Sequence, residues 1–516
     1  MKKIATAEEM RRLDQAAVET AGIPGLILME NAAVGLLRTV REILGDQLAQ
    51  RRLIIVCGKG NNGGDGYALA RQLFNRGAEV TVIAAGSVAE LKGDAGVNAG
   101  IFKAIGGRVV EVKQSGSIPH LPPGDLIVDG LLGTGLVGAA RGLTARLIEW
   151  INNRPEPVLA IDIPSGVESD TGAAQGAAVQ ADWTVTMGLL KRGLVLPPGR
   201  ELSGKVIIAN ISLPPGVRAG SNIHFHLLEK RDIAGMLPRR KPTFHKGDAG
   251  RAFVLAGSPG KTGAAALMSQ AAQRIGAGLV ILGIPAGLNP IVEVKLTEVM
   301  THPLPENAEG CLGPEALPIL EDLVSWADVV GIGPGLSTHH DTETAVRALV
   351  GGIKKPLVID ADGLNVLGTE LEFAGMLPAD SILTPHPGEF SRLTGKSIPE
   401  ILANRVELAA SRAAAWGTVI VLKGAPTIIA DPSGETYCNP TGGPALGTGG
   451  TGDVLTGMIL GLLAQGCPPL HAACAGVYLH GLAGDLAAKA IGVAATCAGD
   501  LDRFIPAAIR EVLPEA

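Results

Sequence analysis

Again and again along this 516-residue chain, a short aliphatic run ends in a loop bearing glycine or aspartate and gives way to a helical pattern. In the first half the runs are Leu53–Cys57, EVTVIAA, DLIVD (125–129), PVLAID (157–162), DWTVTM (182–187) and KVIIAN (205–210). Strands that read as unbroken aliphatic stretches are buried on both faces. With helices between them, that pattern predicts a parallel sheet covered on both sides. Hydrophobic residues make up 46% of the chain but aromatic ones only 3%, so Ala, Val, Ile and Leu must fill the core. Thr6 and Glu9 form a capping box ahead of a first helix with Met10, Leu13 and Ala17 on one face. A second helix follows Pro24, and another is expected from about Tyr67 to Arg76, stopped by Gly77. The alternation lapses over 213–246, where Pro214, Pro215, Gly216, Pro238 and Pro242 punctuate a stretch ending PRRKPTFHKG. A boundary near residue 225 divides the chain into domains 1–225 and 226–516. The second series runs through RAFVLAG, LVILGI, DVVGIG, PLVID, SILTP, TVIVLKG and PTIIA, and from Asp453 onward the pattern is helical. The fold class is therefore α/β, with two three-layer αβα domains. No internal repeat joins the halves, because their loops differ.

The 44 basic and 50 acidic residues leave a net charge of −6 with no block of Lys or Arg, which argues against nucleic acid or an anionic membrane as the main partner. The six cysteines include no CxxC pair and are expected to be buried, reduced thiols. The opening MKKIATAEEMRRLD lacks the apolar stretch of a secretion signal, and no apolar run approaches the ~20 residues of a membrane span. A cytoplasmic protein is expected.

Three loops of the first half carry chemistry, each at the carboxyl end of an expected strand, where open α/β sheets hold ligands. Gly58–Gly66 reads GKGNNGGDG. Its glycines permit close approach to a ligand, and the helix beyond it offers free N–H groups to phosphate. A tight turn needs only one or two glycines, not paired asparagines and an aspartate besides. It is neither a Walker A loop nor GxGxxG. The second and third loops are Asp129–Gly135 and Asp162–Gly166. An aspartate at a strand end is most often a cap or turn residue. Two of them with Asn62 and Ser165 could instead gather hard oxygen ligands for an alkali or alkaline-earth ion.

GKGNNGGDG, DGLLGTG and AIDIPSG, in this order, resemble the N-terminal domain of the bifunctional NAD(P)H-hydrate repair enzymes, over about residues 5–215. The resemblance implies a Rossmann-like domain that epimerises the hydrated cofactor at the ring carbon bearing the hydroxyl. It implies that Asn61, Asn62, Gly63, Gly64 and Asp65, with Gly133, Thr134, Gly135, Leu136, Val137, Gly138 and Ala139, line the cofactor. Asp162 would contact the substrate as the acid/base, and Asn62, Asp129 and Ser165 would bind K+. Epimerising a carbinolamine-like carbon requires C–O cleavage to a ring cation and return of water to the other face. A carboxylate can stabilise the cation and relay the proton.

In the second half, Gly447–Asp453 (GTGGTGD) opens a helix and makes an anion site of backbone amides and helix dipole. Asp453 can act as a plain N-cap or take the proton of a hydroxyl being phosphorylated. Supporting loops are His245–Asp248, Gly263–Ala265, Gly333–Gly335, Asp360–Asp362, Thr384–Glu389 and Lys423–Thr427. His386, between prolines, reads as a ligand contact, and Lys423 as a point charge for nucleotide phosphate. Glu389 reads equally well as a solvated helix-start carboxylate. GxGD before a helix resembles the ribokinase-like fold. Together with HKGDAGR, TPHPGEFSRL and VLKGAPT, the match narrows to NAD(P)H-hydrate dehydratases, over about residues 240–510. That resemblance implies that Ala264, Gly335, His386 and Asp453 contact the hydrated cofactor. Lys423, Gly424, Ala425, Pro426, Thr427 and Gly452 would hold ADP or ATP, with Mg2+. Phosphorylation would turn a poor leaving group, hydroxide, into a good one. The implied ligands are hydrated NADH or NADPH and an adenine nucleotide, bound by a homo-oligomer.

Two other readings compete. The second half could be an ordinary small-molecule kinase, since fold alone does not fix function; HKGDAGR and TPHPGE weigh against it. The first half could be a non-catalytic binding module, but Asp65, Asp129 and Asp162 are all present.

Overall fold

The computed structural model describes residues 1–114, 118–240, 242–243, 245–369 and 375–513. Lys241 and Phe244 of the PRRKPTFHKG stretch lie outside the described residues. The chain divides into two compact units, Lys2–Ile223 and His224–Ala516, with Met1 grouped with the second.

In the first unit the capping box of Thr6 and Glu9 starts a helix over Ala7–Glu19, and Pro24 precedes the helix Gly25–Leu44. Strand β1 (Lys2–Ala5) pairs only with the short β8 (Leu190–Lys191) within this unit, in parallel. The main sheet holds β2 (Arg52–Cys57), β3 (Glu79–Ala85), β4 (Arg108–Val112), β5 (Leu126–Gly130), β6 (Val158–Ile161), β7 (Trp183–Met187) and β9 (Lys205–Ala209). Their order is β4-β3-β2-β5-β6-β7-β9, and every pairing is parallel. Along β2, Leu53, Ile55 and Cys57 pack into one apolar layer with Leu36 and Val40 of Gly25–Leu44. Ile54 and Val56 point the other way, against Leu147 and Ile148 of the helix Gly142–Asn152. Both sheet faces are thus buried, which is why these strands read as unbroken aliphatic runs. The strand order reverses between β2 and β5. That switch point leaves a crevice at the carboxyl edge, and the GKGNNGGDG and DGLLGTG loops both open onto it.

One expectation is revised here. The helix after β2 starts at Asn61 and runs to Phe74, so Asn61–Asp65 form its first turns rather than a loop ahead of it. Glycine is a poor helix former, by about 1 kcal/mol against Ala. Packing overrides that: a Cβ at Gly63 would meet the Gly58 carbonyl oxygen at 2.1 Å, and one at Gly66 would meet Cys57 Sγ at 2.7 Å. These glycines let the helix lie against the strand that precedes it.

The second unit is built on β10 (Phe225–Leu227), β11 (Arg251–Leu255), β12 (Leu279–Pro285), β13 (Met300–Leu304), β14 (Val329–Ile332), β15 (Leu357–Ile359), β16 (Ser381–Leu383), β17 (Val419–Leu422), β18 (Ile428–Ala430) and β19 (Thr436–Cys438). The order is β13-β12-β11-β14-β15-β16-β17-β18-β19-β10. Pairing is parallel from β13 to β17, antiparallel from β17 through β19, and parallel again between β19 and β10. The antiparallel portion follows from the connection: Lys423–Thr427 is a hairpin turn, too short for a crossover. The carboxyl-terminal part is helical as expected, over Thr451–Ala464, Pro469–Ile491 and Ala498–Val512. The helix Thr451–Ala464 lies so close to the helix Thr262–Ile275 that a Cβ at Gly457 would meet the Met268 carbonyl oxygen at 2.1 Å. All six cysteines are free thiols, five buried and Cys497 exposed. Among the described residues no helix is long and apolar enough to cross a membrane.

Candidate active sites

A cavity of 1510 Å³ opens at the switch point of the first unit. Asn61, Asn62 and Asp65 of the glycine-rich helix start line it, as do Gly133, Thr134, Gly135, Leu136 and Val137 of the loop after β5, and Asp162 after β6. Four residues expected to line the ligand stand outside its walls. Gly63 packs on Gly58 and Gly64 on Met29 and Ala95. Gly138 donates its N–H to Glu168 Oε1 at 2.7 Å, and Ala139 packs beside Gly176.

Asp162 adopts φ +66°, a left-handed conformation rare for a non-glycine residue and a common mark of functional sites. Its Oδ1 accepts from Lys191 Nζ at 2.5 Å, Met187 N at 3.0 Å and Thr186 Oγ1 at 3.1 Å. Lys191 is buried and also donates to the Met187 carbonyl at 2.7 Å. Two further carboxyls face this pair. Burial, then the charge of Asp162, push Asp14 up to about 6, with Lys191 opposing. The same two effects raise Asp65 well above the usual carboxylate range. Within the cavity, Asp162, Asp14 and Asp65 thus gather around the Lys191 ammonium.

Asn62, Asp129 and Ser165 do converge, through the loop after β5. Asn62 Nδ2 donates to the Leu132 carbonyl at 2.7 Å, the Leu132 amide donates to Ser165 Oγ at 2.8 Å, and Ser165 Oγ donates to Asp129 Oδ1 at 2.7 Å. Asp129 is fully buried, and burial pushes it up to about 6 against the hydrogen bonds from Ser165 and Leu131. No Lys or Arg pairs with it among the described residues. An amide, a hydroxyl, a carbonyl and a buried carboxylate without a basic partner form an all-oxygen donor set that fits a hard cation.

In the second unit the functional loops again lie at carboxyl ends of strands. Lys423, after β17, donates to Asp360 Oδ1 at 2.6 Å and lies 3.8 Å from Glu389 Oε2. Thr456 Oγ1 donates to Asp360 Oδ2 at 2.6 Å. Burial alone would depress the Lys423 ammonium, yet Asp360, Glu389 and Asp453 around it hold it above its usual value. Asp453 is raised to about 6, first by burial, then by Asp360, with Lys423 opposing. Gly452 adjoins the Lys423 ammonium, since a Cβ there would lie 3.5 Å from Nζ. The helix begins behind Gly450, which takes φ +94° where Leu267 and Ala498 leave no room for a side chain. Ala264 and Gly335 are close neighbours: a Cβ on Gly335 would be 3.3 Å from that of Ala264. Lys261 beside them donates to Asp362 Oδ2 at 2.9 Å.

Several expectations take a different form. Lys423 faces a carboxylate cluster rather than standing as an open point charge. His386 caps the helix Pro387–Thr394, its Nδ1 accepting from Gly388 N at 2.9 Å and Glu389 N at 3.2 Å. Glu389 is buried, not solvated, and is raised chiefly by burial. Gly424 and Ala425 are exposed at the hairpin while Pro426 is buried and Thr427 Oγ1 donates to the Gly424 carbonyl at 3.1 Å. His245–Asp248 is an exposed surface turn closed by His245 N to Asp248 Oδ2 at 3.0 Å. Sequence reasoning missed Asp14 and Lys191. The signal for Asp14 was present: it falls in the buried stripe with Met10, Leu13 and Ala17, where a carboxylate is out of place.

Residues 252–507 match the family described as NAD(P)H-hydrate dehydratase, and residues 25–193 that described as the YjeF-related protein N-terminus. The bifunctional NAD(P)H-hydrate repair enzyme of Moorella thermoacetica is 44% identical over 516 residues, covering 99% of this chain and 97% of its own length. That of Escherichia coli is 35% identical over 496 residues, covering 96% and 92%. Among solved structures, a ribokinase-like superfamily protein from Enterococcus faecalis aligns with a TM-score of 0.50 and 27% identity, over 56% of this chain and 96% of its own. An ADP/ATP-dependent NAD(P)H-hydrate dehydratase from Bacillus subtilis, co-crystallised with ATP/Mg2+, is 34% identical over 56% of this chain and 98% of its own, with a TM-score of 0.49. Matched over nearly its whole length, this chain belongs to the family of bifunctional NAD(P)H-hydrate repair enzymes.

Proposed function

We propose that residues 1–225 epimerise hydrated NADH or NADPH and residues 226–516 dehydrate one epimer at the expense of ADP or ATP, in the cytoplasm. The observation that carries this reading is that the carboxyl edge of each sheet gathers several carboxyls around one lysine beside a glycine-rich helix start. In the first unit the cavity has room for a dinucleotide, with the amides at Asn61 and Asn62 for its phosphates. Asp162, held by three donors, lies where a ring cation formed by C–O cleavage would be stabilised. Asn62, Asp129 and Ser165 would hold K+, which would supply a fixed positive charge beside the loop after β5.

In the second unit, Asp453 is tuned close to neutrality and takes the proton of the ring hydroxyl, as suits a general base. The hydroxyl oxygen attacks the terminal phosphoryl group in front of the Gly452 and Asp453 amides. Phosphate then departs with the C–O electrons, and loss of the neighbouring C–H proton restores the dihydronicotinamide. Lys423 carries positive charge beside this path, fixed by Asp360. The surplus of carboxyls over ammonium groups there fits Mg2+ arriving on the nucleotide phosphates, where it would neutralise developing charge. Phosphate release from ADP is the test: it should require hydrated NADH and be accompanied by return of the dihydronicotinamide absorbance. Release with simple alcohols, and none with the hydrate, would instead indicate an ordinary kinase. The rate should rise as pH passes about 6, because Asp453 must be ionised to accept the proton.

A further inference from the structure

The epimerising cavity contains more acid groups than one carboxylate mechanism uses, and their surroundings differ. Asp162 Oδ1 collects Lys191 Nζ at 2.5 Å, Met187 N at 3.0 Å and Thr186 Oγ1 at 3.1 Å. Three donors already converge on that oxygen, so it is poorly placed to take up a proton as well. Asp14, from the facing helix Ala7–Glu19, lines the same cavity. Its Oδ1 is buried and has no hydrogen-bond partner. A buried polar atom left unsatisfied costs stability, so a purely structural role gives this side chain nothing to do. It interacts electrostatically with both Asp162 and Lys191.

We propose that Asp14 is a second catalytic carboxyl of the epimerising site, passing the proton between itself and the substrate oxygen while the donor-held Asp162 carboxylate stabilises the ring cation. This rests on the reading of the first unit as an epimerase. As the C–O bond breaks, both electrons leave with oxygen, which takes the Asp14 proton and departs as water. The ring nitrogen's lone pair satisfies the electron-poor carbon, giving a planar cation beside the Asp162 carboxylate. Water then adds to the other face, a new C–O bond forms, and the proton it sheds returns to the Asp14 carboxylate directly or through cavity water. Atoms and charge balance over the cycle, and no other reactant is consumed.

The charged groups facing Asp14 set this division of labour. Burial and Asp162 bring Asp14 to about 6 against the pull of Lys191, so its proton can leave and return near neutrality. Asp65, on the helix Asn61–Phe74, is raised well above the usual carboxylate range by burial and then by Asp162, with Lys191 opposing and Asp14 adding to the rise. Two carboxyls in different surroundings can divide acid and electrostatic roles within one site.

The test follows each epimer of hydrated NADH by chiral separation, using the full-length enzyme. Asp14→Asn should lower kcat for interconversion by ~10²-fold or more, with KM nearly unchanged, as expected for loss of a general acid–base group. The wild-type rate should fall as pH rises through about 6, where Asp14 loses the proton it must donate, and that inflection should vanish in the variant. Asp14→Glu should restore part of kcat. ADP-dependent dehydration by the same chain should be unaffected, which serves as the control for folding. An Asp14→Asn enzyme that keeps wild-type kcat, or keeps the inflection, overturns the proposal. If the wild-type chain itself fails to interconvert the epimers, or Asp162→Asn interconverts them normally, the epimerase reading has failed and the Asp14 proposal falls with it. If Asp162→Asn is inactive and Asp14→Asn is not, only the proposal falls.

Discussion

Each unit turns one buried lysine into a brace for a carboxylate: Lys191 for Asp162 and Lys423 for Asp360. Removing one partner of such a pair leaves the other buried without compensation, at a cost of ~3–5 kcal/mol. Lys191→Met should therefore both lower the melting temperature of the first unit and abolish epimerisation, and calorimetry beside the epimer assay would separate the two effects. Asp14 carries the opposite sign. Its folded value of about 6 lies above the ordinary 3.8, so the folded protein holds this proton more tightly than the unfolded chain does. Stability from this group is complete below about 3.8 and is lost as pH climbs past about 6. A displacement of that size is worth roughly 2–3 kcal/mol at most. Asp14→Asn should thus raise the melting temperature at pH 8 and leave it little changed at pH 4. A melting temperature that falls at pH 8 would mean the carboxylate is favourably held. Asp162 and Asp453 were legible in the sequence because each closes or follows an aliphatic strand or a glycine run where a charge needs a reason. Lys191 was not: in LLKRGL nothing separates a buried ammonium from the exposed arginine a sequence reader expects, and only the fold brings it to Asp162, 29 residues earlier.

At the scale of elements, strand positions were readable wherever both faces are buried, as in EVTVIAA, which is β3 residue for residue. Strands that lack that signature were not. β13 reads MTHPL, with a proline and two polar residues, and lies at the sheet edge where proline is tolerated. β19 is only three residues long. The helix start at Asn61 was hidden because Gly63, Gly64 and Gly66 signal a loop, and only close packing against neighbouring segments makes them helical. The same logic governs Gly457. Alanine there would gain up to ~1 kcal/mol in helix propensity. Its Cβ would meet the Met268 carbonyl at 2.1 Å, a backbone atom that cannot turn aside. Overpacking of that kind costs ~1–3 kcal/mol. Gly457→Ala should be net destabilising, visible as a lower melting temperature of the second unit. An unchanged or higher melting temperature would show that the two helices can separate without loss.

On the scale of the whole molecule, two sheets of different strand order each gather a cluster of carboxyls around a lysine at their carboxyl edge. The chemistry of one half supplies the other: dehydration takes a single epimer, and epimerisation replenishes it. The lapse in alternation around 213–246 is where one compact unit ends and the next begins, and the short β10 within it carries too few residues to show as an aliphatic run. If the two sites work through a freely diffusing hydrate, a mixture of Asp162→Asn and Asp453→Asn proteins should consume both epimers completely, as the wild type does, although neither variant can alone. Incomplete consumption by the mixture would point to transfer within one chain. The most direct measurement is chiral separation of hydrated NADH incubated with each single variant, with and without ADP. Asp162→Asn should consume one epimer and leave the other untouched, while Asp453→Asn should interconvert them and consume neither. Either variant retaining the activity assigned to its missing carboxylate would contradict two independent sites of this design.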